Sequence, residues 1–151
     1  MVVSVAIGIL SATNSSSPGA ILAALNEGLL GHTGGGLVTC CCARFDPGAG
    51  VAIANAGHPP PYCDGQEIDV EAGLPLGVAA GVSYDKFDAN GSNFSFVSDG
   101  VVEAAGPDGE LFGFERTRKI SGKPATEIAA AAKAWGQDDI TVVTVGRSLC
   151  S

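Results

Sequence analysis

Apolar residues recur along the chain at helical spacing first, then at strand spacing, then at helical spacing again. The opening ten residues are almost wholly apolar. No basic residue precedes them, and about ten residues are too few to span a bilayer, so the stretch over 2–10 is predicted to be a buried helix rather than a leader or an anchor. Ser17-Pro18 then offers a cap followed by a proline at the first helical position. Ile21, Leu22, Leu25, Leu29 and Leu30 follow at intervals of three and four, which predicts a second helix.

After Gly34-Gly35-Gly36 the pattern changes to that of extended chain. Residues 37–45 are rich in β-branched and small apolar side chains, 46–50 read Asp-Pro-Gly-Ala-Gly as a turn, and 51–54 return as a strand. Two further hairpins are predicted. Tyr62 and Cys63 lead through Asp64-Gly65 to Ile68 and Val70, and residues 84–87 lead through Asn90-Gly91 to Phe94, Phe96 and Val97. Beyond Gly113 helical spacing resumes over 114–120 and 126–135, where Ile128, Ala129, Ala132 and Trp135 share a face, and 140–145 closes the chain as a strand. Helices toward both ends with antiparallel strands between them predict an α+β layered sandwich.

Composition narrows the function. The 151 residues fit one domain, taken as 1–147 with a short tail at 148–151, and 46% hydrophobic content excludes a disordered chain. A net charge of -8 with only 8 Lys and Arg argues against a nucleic-acid partner. Acidic balance suits a solvated surface, and equally a protein that gathers carboxylates around divalent cations. Cys40, Cys41 and Cys42 are adjacent, so as strand residues they alternate between faces. That spacing suggests neither zinc nor a disulfide framework, and they read as small buried hydrophobes of a reducing cytoplasm. No segment has the length of a membrane span.

Carboxylates at strand ends are the strongest chemical signal. In Ser98-Asp99-Gly100 an apolar strand ends on an aspartate at the rim of the core, with a glycine to let the backbone turn beside it. Asp138 and Asp139 stand just before the strand at 140–145. If those strands are neighbours, Asp99 and Asp138 can converge on one hard cation through oxygen ligands, as Mg²⁺ or Mn²⁺ prefers. Taken singly, each aspartate has an alternative as a turn or cap residue. Glu103 and Glu110 read as solvent-facing or capping groups, and Trp135 as core.

The ordered set Ala56-Gly57-His58-Pro59-Pro60-Pro61, Leu74-Pro75-Leu76-Gly77, Ser98-Asp99-Gly100-Val101-Val102-Glu103-Ala104, Leu111-Phe112-Gly113 and Gln137-Asp138-Asp139-Ile140-Thr141-Val142-Val143 resembles the stage II sporulation protein E (SpoIIE) branch of the metal-dependent phosphatases, relatives of protein phosphatase type 2C. The resemblance runs from the first residues to about Arg147. It implies a four-layer α-β-β-α sandwich, two antiparallel sheets flanked by helices, with a two-metal centre at one end. It also implies Asp99 and Asp138 as metal ligands, with Gly100 and Asp139 in support. The chemistry would be attack of a metal-activated water on phosphoserine or phosphothreonine in a bacterial regulatory phosphoprotein, such as an anti-sigma-factor antagonist. His58 invites the role of general acid because histidine titrates near neutrality, but the proline run that follows it and its motif in the family point to a structural role.

Family members carry a Gly-Asp-x-x-Gly turn upstream of the first helix, whose aspartate bridges the metals, and nothing of that kind precedes Met1. The resemblance therefore implies the C-terminal two-thirds of such a domain, incomplete at its N-terminus and self-associating through exposed sheet edges. Activity would be a property of the intact domain. The alternative is a catalytically dead phosphatase-fold module used for binding or dimerisation.

Overall fold

The computed structural model describes residues 17–46, 50–136 and 139–146. The helix predicted over 2–10 and the tail at 148–151 lie outside them. In chain order the elements are α1 (Pro18–Leu29), β1 (Cys40–Asp46), β2 (Gly50–Ala56), β3 (Tyr62–Cys63), β4 (Gln66–Glu67), β5 (Phe87–Ala89), β6 (Asn93–Val97), α2 (Asp99–Val102), α3 (Gly113–Ile120), α4 (Ala125–Trp135) and β7 (Val142–Gly146). They form an α+β structure with two antiparallel sheets.

The first compact unit comprises residues 1–58 and 70–89. Its sheet has the order β1-β2-β5, with Cys40 opposite Ala56 and Asp46 opposite Gly50. Ser17 is extended and Pro18 occupies the start of α1, where its missing N–H costs nothing. The helix lays Ile21 and Leu22 against Cys40, Cys42, Ala54 and Ala56. Cys40 and Cys42 are buried and Cys41 is half-buried, the alternation expected of a strand with one covered face. Every residue of the central strand β2 is buried.

The stretch before β5 has little regular structure and is held largely by side chains of α1. Asn26 is fully buried on α1. Its Oδ1 accepts the Gly77 N–H at 2.8 Å and the Tyr84 hydroxyl at 3.4 Å, and its Nδ2 donates to the Ala79 carbonyl at 2.8 Å. Beside it, Glu27 accepts the Gly81 N–H at 2.7 Å. The glycine of the Leu-Pro-Leu-Gly stretch is required here on two counts. Gly77 has φ 76°, and a Cβ on it would stand 2.8 Å from the Leu29 carbonyl oxygen.

The second unit comprises residues 59–69 and 90–151, with a sheet of order β4-β3-β6-β7. Its core gathers Tyr62, Val97, Val101, Ala104, Phe112, Ile128 and Ala132. Trp135, read from the sequence as core, is half-buried and packs at the margin of this cluster. The hairpin at Asp64-Gly65 forms, but its arms are only two residues long, and Ile68 and Val70 lie beyond it.

The hairpin predicted across Asn90-Gly91 does not form. Phe87 and Ala89 of β5 pair with Ile53 and Val51 of β2, whereas Phe94 and Ser95 of β6 pair with Cys63 and Tyr62 of β3. The physical reason is the Asp64 carboxylate, which accepts the N–H groups of Ser92 at 3.0 Å and Asn93 at 2.9 Å. Those bonds hold its pKa below the ordinary carboxylate value and fasten the chain onto β3 just after the glycine.

Two measurements follow from this packing. Asn26→Leu strands the Gly77 N–H and the Ala79 carbonyl without partners, and urea denaturation should show a loss of roughly 2–3 kcal/mol. Burial pushes the Cys40 thiol up to about 11 and the Cys41 thiol up to about 12, so both stay protonated at pH 7.5. Iodoacetamide at that pH should leave both unmodified in the native protein while alkylating them in the urea-unfolded chain, as peptide mass mapping would show.

Candidate metal centre

The strand β6 carries a buried Phe94 and Val97 to the point where the sheet ends, and Val97 opposite Val142 is its last pair with β7. The next residue, Ser98, continues the attachment with both backbone and side chain. Its N–H donates to the Thr141 carbonyl at 2.9 Å, its hydroxyl accepts the Thr141 N–H at 2.9 Å, and the hydroxyl donates to the Asp139 carbonyl at 3.4 Å. The two segments that carry the sequence-predicted carboxylates are therefore fastened side by side. Their proximity does not depend on the carboxylates themselves.

Asp99 opens α2 and is exposed, while Gly100, Val101 and Val102 behind it are buried. Its Oδ1 accepts the Gly100 N–H at 3.0 Å, and the Glu103 N–H closes the helix onto the Asp99 carbonyl at 2.8 Å. The turn that the sequence placed beside Asp99 is the short helix itself, with Gly100 inside it. Asp139 is exposed beside Ser98, and Asp138 lies outside the described residues.

Glu103 and Glu110 are exposed. The Glu110 carboxylate pairs with Arg116 at 2.7 Å, and its carbonyl accepts the indole N–H of Trp135 at 2.8 Å. In the first unit, His58 has its backbone bracketed by one buried side chain: Asn55 Oδ1 accepts the His58 N–H at 2.8 Å and Asn55 Nδ2 donates to the His58 carbonyl at 2.9 Å. The imidazole Nδ1 lies 3.3 Å from the Thr39 hydroxyl. Sequence reasoning passed over Asn55 and Ser98. A signal existed for the first, because an asparagine inside the apolar run Val51-Ala52-Ile53-Ala54 is costly to bury unless its amide is fully used.

The donor chemistry at the β6 and β7 ends is carboxylate oxygen, which suits a hard divalent cation such as Mg²⁺ or Mn²⁺. Among the described residues no group of three or more His, Cys, Asp or Glu side chains converges to hold a metal.

Two solved structures resemble the chain. The SiaA-PP2C domain of Pseudomonas aeruginosa superposes with a TM-score of 0.68 at 22% identity, over 93% of this chain and 65% of that one. A structure of the RsbU and RsbW domains of a Mycobacterium tuberculosis protein gives a TM-score of 0.60 at 22% identity, over 91% of this chain and 43% of that one. The chain thus spans less than two thirds of either. Among curated protein sequences nothing matches. Among the described residues, no helix is long and apolar enough to cross a membrane. The family model for stage II sporulation protein E matches residues 1–148. With a PP2C-type fold and a family match over nearly its whole length, the chain belongs to the SpoIIE family.

Proposed function

We propose that the domain to which this chain belongs hydrolyses phosphoserine or phosphothreonine in a regulatory phosphoprotein, such as an anti-sigma-factor antagonist. The observation that carries this reading is the double attachment of Ser98 to Asp139 and Thr141, which sets the Asp99 strand end against the acidic segment. Asp99 and Asp138 would hold Mn²⁺ or Mg²⁺, with Asp139 and Gly100 in support. A divalent cation bound there acidifies water and offsets charge on phosphoryl oxygens. The protein's own task is placement: a rigid strand end keeps the carboxylates in position, and the buried first turn of α2 keeps Asp99 facing outward. His58 is given no proton-transfer role, since its Asn55 and Thr39 bonds serve the loop that contains it.

A second reading is a phosphatase-fold module that binds a partner or dimerises without turnover. Hydrolysis of p-nitrophenyl phosphate with Mn²⁺ separates the two. Mn²⁺-dependent turnover that falls by at least about 100-fold in Asp99→Asn supports the enzyme. A folded wild-type chain without turnover favours the module, or an activity that needs the rest of the domain.

We also propose self-association through β7. Among the described residues it lies at the edge of its sheet, and Val143 is 46% exposed. An apolar edge strand with unpaired backbone groups is a template for another chain. Sedimentation at micromolar concentration should show a dimer or larger species, and Val143→Lys should shift it toward monomer; a wild-type chain that sediments only as monomer would contradict the proposal.

A further inference from the structure

The stretch of the second unit that leads into β6 begins with Asn90-Gly91, the one Asn-Gly pair in the sequence. Gly91 is required by its surroundings. A Cβ on it would overlap the Cys63 sulfur and stand 2.7 Å from an Asp64 carboxylate oxygen. The next two residues give their N–H groups to that same carboxylate. The groups that decide the chemistry of the pair are not restrained in this way. Asn90 is exposed and belongs to no helix or strand, and among the described residues neither its side-chain amide nor the Gly91 N–H makes a hydrogen bond. The other described asparagines differ. Asn26 and Asn55 are buried and spend their amides on the backbone of Gly77, Ala79 and His58, and Asn93 stands in β6 before the buried Phe94.

We propose that Asn90-Gly91 is a modification site, at which the folded protein deamidates itself and thereby loosens β6 from β3. The Gly91 nitrogen gives its proton to solvent base and attacks the Asn90 Cγ. A carbon–nitrogen bond closes a succinimide ring, and the side-chain nitrogen leaves as ammonia. Water then opens the ring at one of its two carbonyls, giving either aspartate or an isoaspartyl linkage. The balance is one water consumed and one ammonia released, with no oxidant or reductant. Glycine favours the attack because no Cβ crowds its nitrogen, and an N–H without a partner has no bond to give up. The consequence follows from Cys63, whose sulfur lies 3.7 Å from both the Asn90 carbonyl oxygen and Asp64 Oδ2. In the isoaspartyl product that carbonyl becomes a free carboxylate, so a second negative charge arises at the sulfur that Asp64 already flanks, and like charges this close repel. The main chain also gains one carbon just ahead of the two amides that Asp64 holds. Both changes work against the fastening of β6 to β3.

Prolonged incubation of the full chain at mildly alkaline pH, followed by peptide mass mapping, tests this. The peptide that carries Asn90 should gain about 1 Da, while those that carry Asn26 and Asn55 stay unchanged. An isoaspartyl methyltransferase should label the same peptide. Asn90→Gln, whose longer side chain closes its ring far more slowly, should remove both signals and keep the wild-type melting temperature, since the Asn90 side chain makes no hydrogen bond. The aged chain, separated from the fresh one by its added charge, should melt at a lower temperature. Asn90→Asp has the charge without the longer main chain, and should melt between the two. If Asn90 stays intact in the folded chain while the urea-unfolded chain converts it, the packing of Gly91 on Cys63 protects the pair and the site is overturned. An aged chain that melts with the fresh one would overturn the loosening of β6.

Discussion

A polar group taken out of water must find its hydrogen-bond partners inside the protein, and in this chain that constraint shapes the loops more than the strands. Three short side chains meet it by serving backbone groups outside their own elements: Asn26 holds the loop at 77–84, Asn55 brackets His58 three residues on, and Ser98 binds Asp139 and Thr141. Each is both donor and acceptor, so each fixes position as well as distance. Long stretches without regular structure are thereby given defined courses. The candidate centre sits where one of these fastenings coincides with the end of a sheet.

The two units use the same device on different architectures. In the first, a helix reaches over a three-stranded sheet and its polar residues secure the return loop. In the second, paired strands deliver chemistry to their ends, and Trp135 and Arg116 secure the loop beyond. The exposed ion pairs, such as Lys119 with Glu115, are minor contributors by comparison, because such pairs are screened and cost side-chain entropy.

Much of this was legible in the sequence, for reasons that can be named. Helices α1, α3 and α4 were visible because their apolar residues repeat every three or four positions, and β1 and β2 because a proline-glycine turn separates two apolar runs. The alternation of the three cysteines followed from strand geometry alone. The partnering of β5 was not legible: Asn90-Gly91 is a strong local hairpin signal, and nothing local reveals that Asp64, almost thirty residues earlier, captures the amides just after it. Trp135 shows the same limit. Its helical spacing pointed to the core, but its indole N–H and the Arg116 guanidinium above its ring place it at the margin. For the candidate centre, Asp99 and Asp138 were picked out as carboxylates at strand ends, with Asp139 in support, and Asp138 lies outside the described residues; Asn55 and Ser98, which arrange the backbone around His58 and Asp139, bear no charge and belong to no periodic pattern.

The attachment of Ser98 to the acidic segment has a consequence for how the protein is made. Its hydrogen bonds join positions 41 and 43 residues apart, whereas the β1 and β2 hairpin closes across a single turn. Contacts between distant positions form only after the intervening chain has been ordered, and they slow folding accordingly. The hairpin can therefore be in place early in folding, while Ser98 meets Asp139 and Thr141 among later events. A nascent or partly folded copy would hold the β1–β2 scaffold before Ser98 fastens the two strand ends together, so that this fastening marks completed folding.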